Sequence, residues 1–192
     1  MTKSRTREYF ISLYEENEDP WNYETSEYEA EKYEASLRAL PRKQYSNALE
    51  IGCSIGVFTE KLAQRCRRLL SIDVSATALK KAQQRCQAYP QVQFALVTVP
   101  EEYPEDTFDL TVLSEVGYYL SPEDLAKLSE KMTMHTAPGG HLLLVHWLAV
   151  VPGYPLQGHD VHELLLRQPG WNLMTQARTD LYRIDVLERQ GG

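Results

Sequence analysis

Between Ala48 and Gly56 the chain reads Ala-Leu-Glu-Ile-Gly-Cys-Ser-Ile-Gly, and no other stretch so limits what it can fold into. A short apolar run carries an acid, two glycines follow four positions apart, and a helical pattern (Phe58, Leu62, Cys66) starts directly after them. The pattern predicts a buried strand, a tight turn and a helix start. Gly52 and Gly56 would let a ligand lie against bare backbone, because a Cβ at either place holds it off. Glu50 stands at the strand end beside that space. Seventeen residues past Gly56, Leu69-Leu70-Ser71-Ile72-Asp73 is a second apolar run ending in an acid. A carboxylate so placed accepts hydrogen bonds from a ribose diol in dinucleotide-binding folds. The phosphate fingerprint is missing, however: Gly-x-Ser-x-Gly is not G-x-G-x-x-G, and two nearby acids repel a pyrophosphate. The two strand ends describe a pocket for a nucleoside that lacks phosphates and carries positive charge.

Beyond this motif, strand and helix signals alternate, which implies an α/β fold with a mostly parallel sheet covered on both faces. Strands are expected near 47–51, 69–73, 92–97, 108–114 and 140–147, and helices near 56–67, 75–88 and 122–136. Ser75 and the Ser121-Pro122 pair supply helix starts, and Leu125, Leu128 and Met132 form an inward stripe. Upstream, Tyr9, Phe10, Leu13 and Tyr14 have helical spacing and predict a loosely docked helix, broken by Asp19-Pro20-Trp21-Asn22. Ser26 with Glu29 makes a capping box for a tyrosine-rich helix to about Leu40. Downstream, Asp160 with Glu163 is expected to cap a short helix through Leu166, and 171–177 with 180–188 to form an antiparallel hairpin.

At 192 residues, 43% hydrophobic and 24% charged, the chain has the size and composition of one globular domain. A net charge of −7 without a long basic run argues against nucleic acid as the partner. The basic residues Arg65, Arg67, Arg68, Lys80, Lys81 and Arg85 read as a solvated face. No apolar span of membrane length and no leader pattern is visible, and the three cysteines have no metal-type pairing. The expectation is a cytoplasmic protein with reduced thiols and no membrane partner, monomeric or a homodimer.

Several landmarks together resemble class I methyltransferases dependent on S-adenosylmethionine. The motif Glu50-Ile51-Gly52-Cys53-Ser54-Ile55-Gly56 is similar to their first motif, with Ser54 at the middle glycine. Asp73 matches the ribose acid, Phe108 to Val116 the fourth strand and the turn after it, and Pro138 to Val145 the fifth strand. Asp19-Pro20-Trp21, Asn47 to Leu62 and Glu115-Val116-Gly117-Tyr118-Tyr119-Leu120 resemble the nodulation protein S group of small N-methyltransferases in particular. The resemblance implies a doubly wound, Rossmann-like sheet of seven strands in the order 3-2-1-4-5-7-6, the last strand antiparallel. It also implies one domain, with residues 1–40 as a helical lid on an α/β core of 41–192. The implied activity is N-methylation of a small amine or amino sugar. O-methylation of a hydroxylated metabolite, or a non-catalytic cofactor-binding module, stands as the alternative.

Ligands of open α/β sheets bind outside the carboxyl ends of the strands. By resemblance, Gly52, Cys53, Ser54 and Gly56 would line the methionine part of the cofactor, beside Glu50, and Asp73 with Val74 would hold the ribose. Thr98 and Val99 stand where the family often has an adenine-binding acid. Trp21 would stack near the cofactor and Lys32 would meet its carboxylate. Glu115 would orient the acceptor or take its proton, Tyr118 would offer a flat face and a hydroxyl, and His146 is the best base by position and intrinsic pKa. The spacing of His159-Asp160-Val161-His162 matches no metal ligand set.

Overall fold

A computed structural model describes residues 2–191. The apolar runs form β1 (Ala48–Ile51), β2 (Leu69–Asp73), β3 (Val92–Leu96), β4 (Phe108–Ser114) and β5 (Thr136–Trp147). The expected hairpin is β6 (Trp171–Arg178) and β7 (Tyr182–Arg189). All seven lie in one sheet in the order β3-β2-β1-β4-β5-β7-β6. The pairs from β3 through to β5 are parallel, and β7 runs antiparallel to both β5 and β6. Every residue of β1 is buried, as a parallel strand covered on both faces requires.

Among the described residues six α-helices flank the sheet: α1 (Arg7–Glu16), α2 (Glu27–Ala39), α3 (Val57–Ala63), α4 (Ala76–Arg85), α5 (Pro122–His135) and α6 (Gly158–Leu166). Leu125, Leu128 and Met132 of α5 and Val161 and Leu165 of α6 join Leu49, Ile51 and Leu113 in one apolar cluster. Tyr33 of α2 and Phe58 and Leu62 of α3 join Ala48, Leu110 and Val112 in a second. Ser26, Ser75 and Ser121 each cap their helix, accepting from the backbone N–H of Glu29, Ala78 and Asp124. No helix among the described residues is long and apolar enough to cross a membrane.

Four local expectations differ from the structure. β5 starts at Thr136 rather than near 140 and absorbs the irregularity as a register shift against β4 between Phe108 and Leu110. α3 stops at Ala63, and a turn follows in which the Arg65 N–H donates to the Leu62 carbonyl at 2.8 Å. α6 begins at Gly158 with Gln157 as its cap and Asp160 as the reciprocal partner; Glu163 instead pairs with Arg183 at 2.9 Å. The first helix is firmly docked. Arg5 N–H donates to the Tyr119 carbonyl at 2.8 Å, Ser4 joins Asp124 and Ser121 at 2.5 and 2.8 Å, and Tyr14 is buried. Much of the basic face is tied down as well, with Lys81 on Glu18, Arg85 on Glu24 and Arg68 on Asp106.

Candidate active site

Along the carboxyl ends of β1, β2 and β4 lies a cleft roofed by α1. Its floor comes from Gly52, Ser54, Asp73, Val74, Thr98, Val99 and Glu115, and its roof from Phe10, Tyr14 and Trp21. Asp73, buried, accepts from the backbone N–H of Ser54 at 2.8 Å on one oxygen and of Ser75 at 2.9 Å on the other. Burial raises its pKa, and these backbone bonds pull it back. Each carboxylate oxygen can accept more than one bond, so a diol in the cleft has acceptors available. Thr98 donates its backbone N–H to Glu102 at 2.7 Å, so an acid does follow β3, though it is spent on the turn.

The two motif glycines serve different ends. Gly52 lines the cleft with φ +77, and a Cβ there would strike Val116. Gly56, expected to face the ligand, lines none of the three cavities. With φ +82 it starts α3, and a Cβ would come within 2.8 Å of the Ala82 backbone. It is a packing glycine that lets α3 and α4 meet.

A smaller chamber continues from the cleft toward α3, lined by Glu50, Gly52, Cys53, Ser54, Tyr23, Tyr33 and Glu115 among others. Glu50 is buried, and its Oε2 accepts from Thr59 at 2.6 Å and from Ser71 at 2.7 Å. Desolvation pushes its carboxyl up to about 7 against the pull of those two hydroxyls. Burial also pushes the Cys53 thiol far up, so it stays neutral.

On the other side of Trp21 and Tyr23 a third cavity is walled by Tyr28, Glu29, Lys32, Tyr118, Trp147 and Leu181. Glu115 borders all three spaces. Its backbone sits in the left-handed region at φ +57, a conformation that a non-glycine residue adopts at a cost and that re-aims the chain after β4. Its carboxylate accepts from Lys32 at 2.6 Å, Tyr118 at 2.5 Å and the Trp147 backbone N–H at 3.1 Å. Lys32 is itself held between Glu115 and Glu29, at 2.6 and 2.9 Å, with 1% of its side chain exposed. It therefore has no free charge for a ligand carboxylate, contrary to its expected role, and it borders the third cavity rather than the first two.

His146 differs from expectation too. It is wholly buried and lines none of the cavities. Gly117 N–H donates to its Nε2 at 3.1 Å, its Nδ1 meets His162 Nε2 at 3.1 Å, and His162 Nδ1 meets Asp185 at 2.8 Å. Because a backbone N–H can only donate, Nε2 of His146 is an acceptor. The neutral chain then runs with Nδ1–H of each histidine donating onward to Asp185. Burial lowers both histidines, His146 well below the usual range. His146 props the turn after Glu115 and has no path to an acceptor atom. His162 and Asp160 of the His-x-x-His segment are likewise engaged, with Asp185 and with the α6 cap.

Sequence reasoning missed Phe10 and Tyr14 as roof residues, Tyr23 and Glu29 as cavity walls, and the histidine relay. The aromatic spacing of α1 was the available signal for the first two. Glu29 was read only as a cap partner, but its side chain turns to Lys32 instead of back to Ser26.

A sheet in this order, with a glycine turn after β1 and a buried acid after β2 opening on one roofed cleft, defines a Rossmann-like methyltransferase fold. A profile of the nodulation protein S (NodS) family matches residues 11–141. The chain belongs to that family. Nodulation protein S of Sinorhizobium fredii is 37% identical over 130 residues, covering 66% of this chain and 59% of that protein. This chain thus spans little more than half of that relative's length. Phosphoethanolamine N-methyltransferase 3 of Arabidopsis thaliana is 31% identical over 61% of this chain and 24% of its own. The crystal structure of the N-methyltransferase NodS from Bradyrhizobium japonicum WM9 with S-adenosyl-L-homocysteine superposes with a TM-score of 0.85. It is 28% identical and covers 96% of this chain and 99% of that one.

Proposed function

We propose that this chain is an S-adenosylmethionine-dependent methyltransferase that N-methylates a small amine or amino sugar. The observation that carries the reading is the junction at Glu115, where a roofed nucleoside cleft and an aromatic-walled cavity share Trp21, Tyr23 and one carboxylate. A donor in one space and an acceptor in the other meet at that wall. Relatives named as N-methyltransferases, and a related structure holding S-adenosylhomocysteine, support it.

The cofactor fits what the residues offer. Asp73 receives the ribose hydroxyls, with Val74, Thr98 and Val99 bordering the base. Gly52, Cys53 and Ser54 border the amino-acid part, and Glu50 provides negative charge for its ammonium. When bound, the cofactor supplies an already activated methyl group on a sulfonium. What remains for the protein is alignment and the exclusion of water. Trp21, Tyr14 and Phe10 form an apolar roof, and residues 1–40 act as a lid that must open for exchange. Tyr118 and Trp147 bound the acceptor, and Glu115 fixes its approach while favouring positive charge nearby.

Calorimetry with S-adenosylhomocysteine and with NAD tests the cofactor. Turnover on a panel of amines, amino sugars and phenols tests the reaction. Binding of NAD in preference, or methylation confined to phenols, defeats the reading.

A further inference from the structure

Three consecutive residues of β5 grip the turn that follows β4. The Val145 carbonyl accepts from Glu115 N–H at 2.9 Å, His146 Nε2 accepts from Gly117 N–H at 3.1 Å, and Trp147 N–H donates to the Glu115 carboxylate at 3.1 Å. The first and third bonds use groups that any strand backbone offers. The middle one needs a side chain, and that side chain is wholly buried. Gly117 lies so close that a Cβ would stand 3.0 Å from His146 Nε2 and 2.5 Å from Val161. The His146 ring also packs edge-on against Tyr118, with centroids 5.5 Å apart, and Tyr118 in turn donates to Glu115. One imidazole thus sets both the backbone at Gly117 and the ring at Tyr118.

His146 can accept at Nε2 only with its hydrogen on Nδ1, and which nitrogen carries the hydrogen is set by the bond the other one makes. Here that bond goes to His162 Nε2, which keeps a lone pair because the hydrogen on His162 Nδ1 goes to Asp185. Asp185 therefore orders both rings from two links away. It is held in turn by Gln176 at 3.0 Å on one oxygen, with Arg183 Nε 2.9 Å from the other. A carboxylate and two imidazoles wholly buried together cost stability that apolar side chains of similar volume would not. The chain of bonds ends at the turn that carries Glu115 and Tyr118 to the wall of the third cavity.

We propose that Asp185, His162 and His146 are positioning residues for the methyl transfer: by keeping His146 Nε2 an acceptor they hold the Gly117 turn, and with it Tyr118 and the left-handed Glu115, at the wall between cleft and cavity. The proposal deepens the function proposed above and rests on it. None of the three lines a cavity, and they act only through Gly117 and Tyr118. Their effect falls on the acceptor side. Tyr118 borders the third cavity and not the cofactor cleft. Tyr119, which does line the cleft, is held separately by Arg5 N–H on its carbonyl.

Long-range proton–nitrogen NMR on the histidine rings of the full chain reads the tautomers without any substitution. His146 and His162 should each show a protonated Nδ1 and a bare Nε2, and a protonated Nε2 on His146 overturns the proposal. Steady-state methylation of ethanolamine, benzylamine and D-glucosamine reads the consequence. His146→Leu should lower kcat on the best of these amines by about tenfold to a hundredfold, the scale of a misplaced reacting group. Its S-adenosylhomocysteine affinity, by calorimetry, should stay within about threefold of wild type. His146→Gln, whose amide oxygen can accept from Gly117, should bring kcat back to within about threefold of wild type. His162→Leu combined with Asp185→Leu exchanges the buried charged pair for apolar side chains, which costs far less stability than removing one partner. That double variant should fold, yet turn over at least about fivefold more slowly. Full kcat in either folded leucine variant, a glutamine variant no faster than His146→Leu, or equal losses of kcat and cofactor affinity overturns the proposal. Where a leucine variant does not fold, the NMR pattern and the kcat of His146→Gln decide. If the wild-type chain methylates none of the three amines, the function proposed above falls and this proposal with it, whatever the tautomers.

Discussion

The Tyr14 hydroxyl donates to Ser54 Oγ across 2.5 Å, joining the first helix to the turn after β1. Ser54 sits at φ +50, in the left-handed region that glycine enters without penalty and serine does not. What serine adds is the hydroxyl that Tyr14 grips. The departure from the family glycine is therefore tied to a roof held shut over the cleft. Tyr14→Phe should weaken S-adenosylhomocysteine binding by about 1 kcal/mol, the value of one neutral hydrogen bond. Ser54→Gly should weaken it similarly while leaving the melting temperature equal or higher. In the Ser54→Gly background Tyr14→Phe should cost nothing more. A double-mutant cycle by calorimetry checks this, and additive losses would show the two residues act separately.

Asp73 both shapes the turn, through Ser54 and Ser75, and faces the cleft. Asp73→Ala should cost about 1–3 kcal/mol in cofactor affinity, the range for bonds to a charged group. Unchanged affinity would mean that the ribose lies elsewhere.

Glu50 gives the cofactor site a pH dependence. Its carboxyl, raised to about 7 by burial, is largely neutral below that value. A cationic ligand group draws on the ionised form alone, so affinity should rise as pH increases through about 7. Well below it, affinity should fall by up to about tenfold per pH unit. Glu50→Gln should bind more weakly at neutral pH and lose this slope. A slope equal to the wild type's would move the dependence to another group.

Much of this was legible in the chain, because strand, turn and cap signals are local. The runs 69–73 and 108–114 were read to the residue as β2 and β4, and the sheet order followed from the resemblance. The site was legible only where residues lie close in sequence. Asp73 stood out in the sequence because it ends a strand, and it lines the cleft. The Lys32–Glu115 bond spans 83 positions and the Tyr14–Ser54 bond 40, and no spacing rule reports such pairs. Gly56 was misread for a related reason: its neighbour Ala82 comes from another helix, and a left-handed glycine looks the same whether ligand or helix lies beyond it.

Both Glu115 oxygens already accept from protein donors, Lys32 on one and Tyr118 with the Trp147 N–H on the other, so its contribution is to orientation and field. Glu115→Gln should keep cofactor affinity within about twofold while lowering kcat by about a hundredfold, the scale of a lost positioning group. Steady-state kinetics beside calorimetry separates the two. Equal losses in both would assign Glu115 to the cofactor.

The relay from Gly117 through His146 and His162 to Asp185 makes the fold sensitive to acid. Both histidines are held neutral by burial, with folded values below the ordinary one. The unfolded chain therefore binds protons first as pH falls, starting near about 6.5. Stability that is full above that value drains away below it, as the linkage relation requires when the unfolded state holds more protons. Melting temperature should fall between about pH 7 and about pH 5. His162→Gln should melt lower at neutral pH, because His146 and Asp185 each lose a buried partner, yet show a shallower decline. Parallel declines in the two proteins would place the acid sensitivity in the carboxylates instead. Asp185, whose partner His162 and neighbour Arg183 hold it below the usual range, would then be the first of these to test.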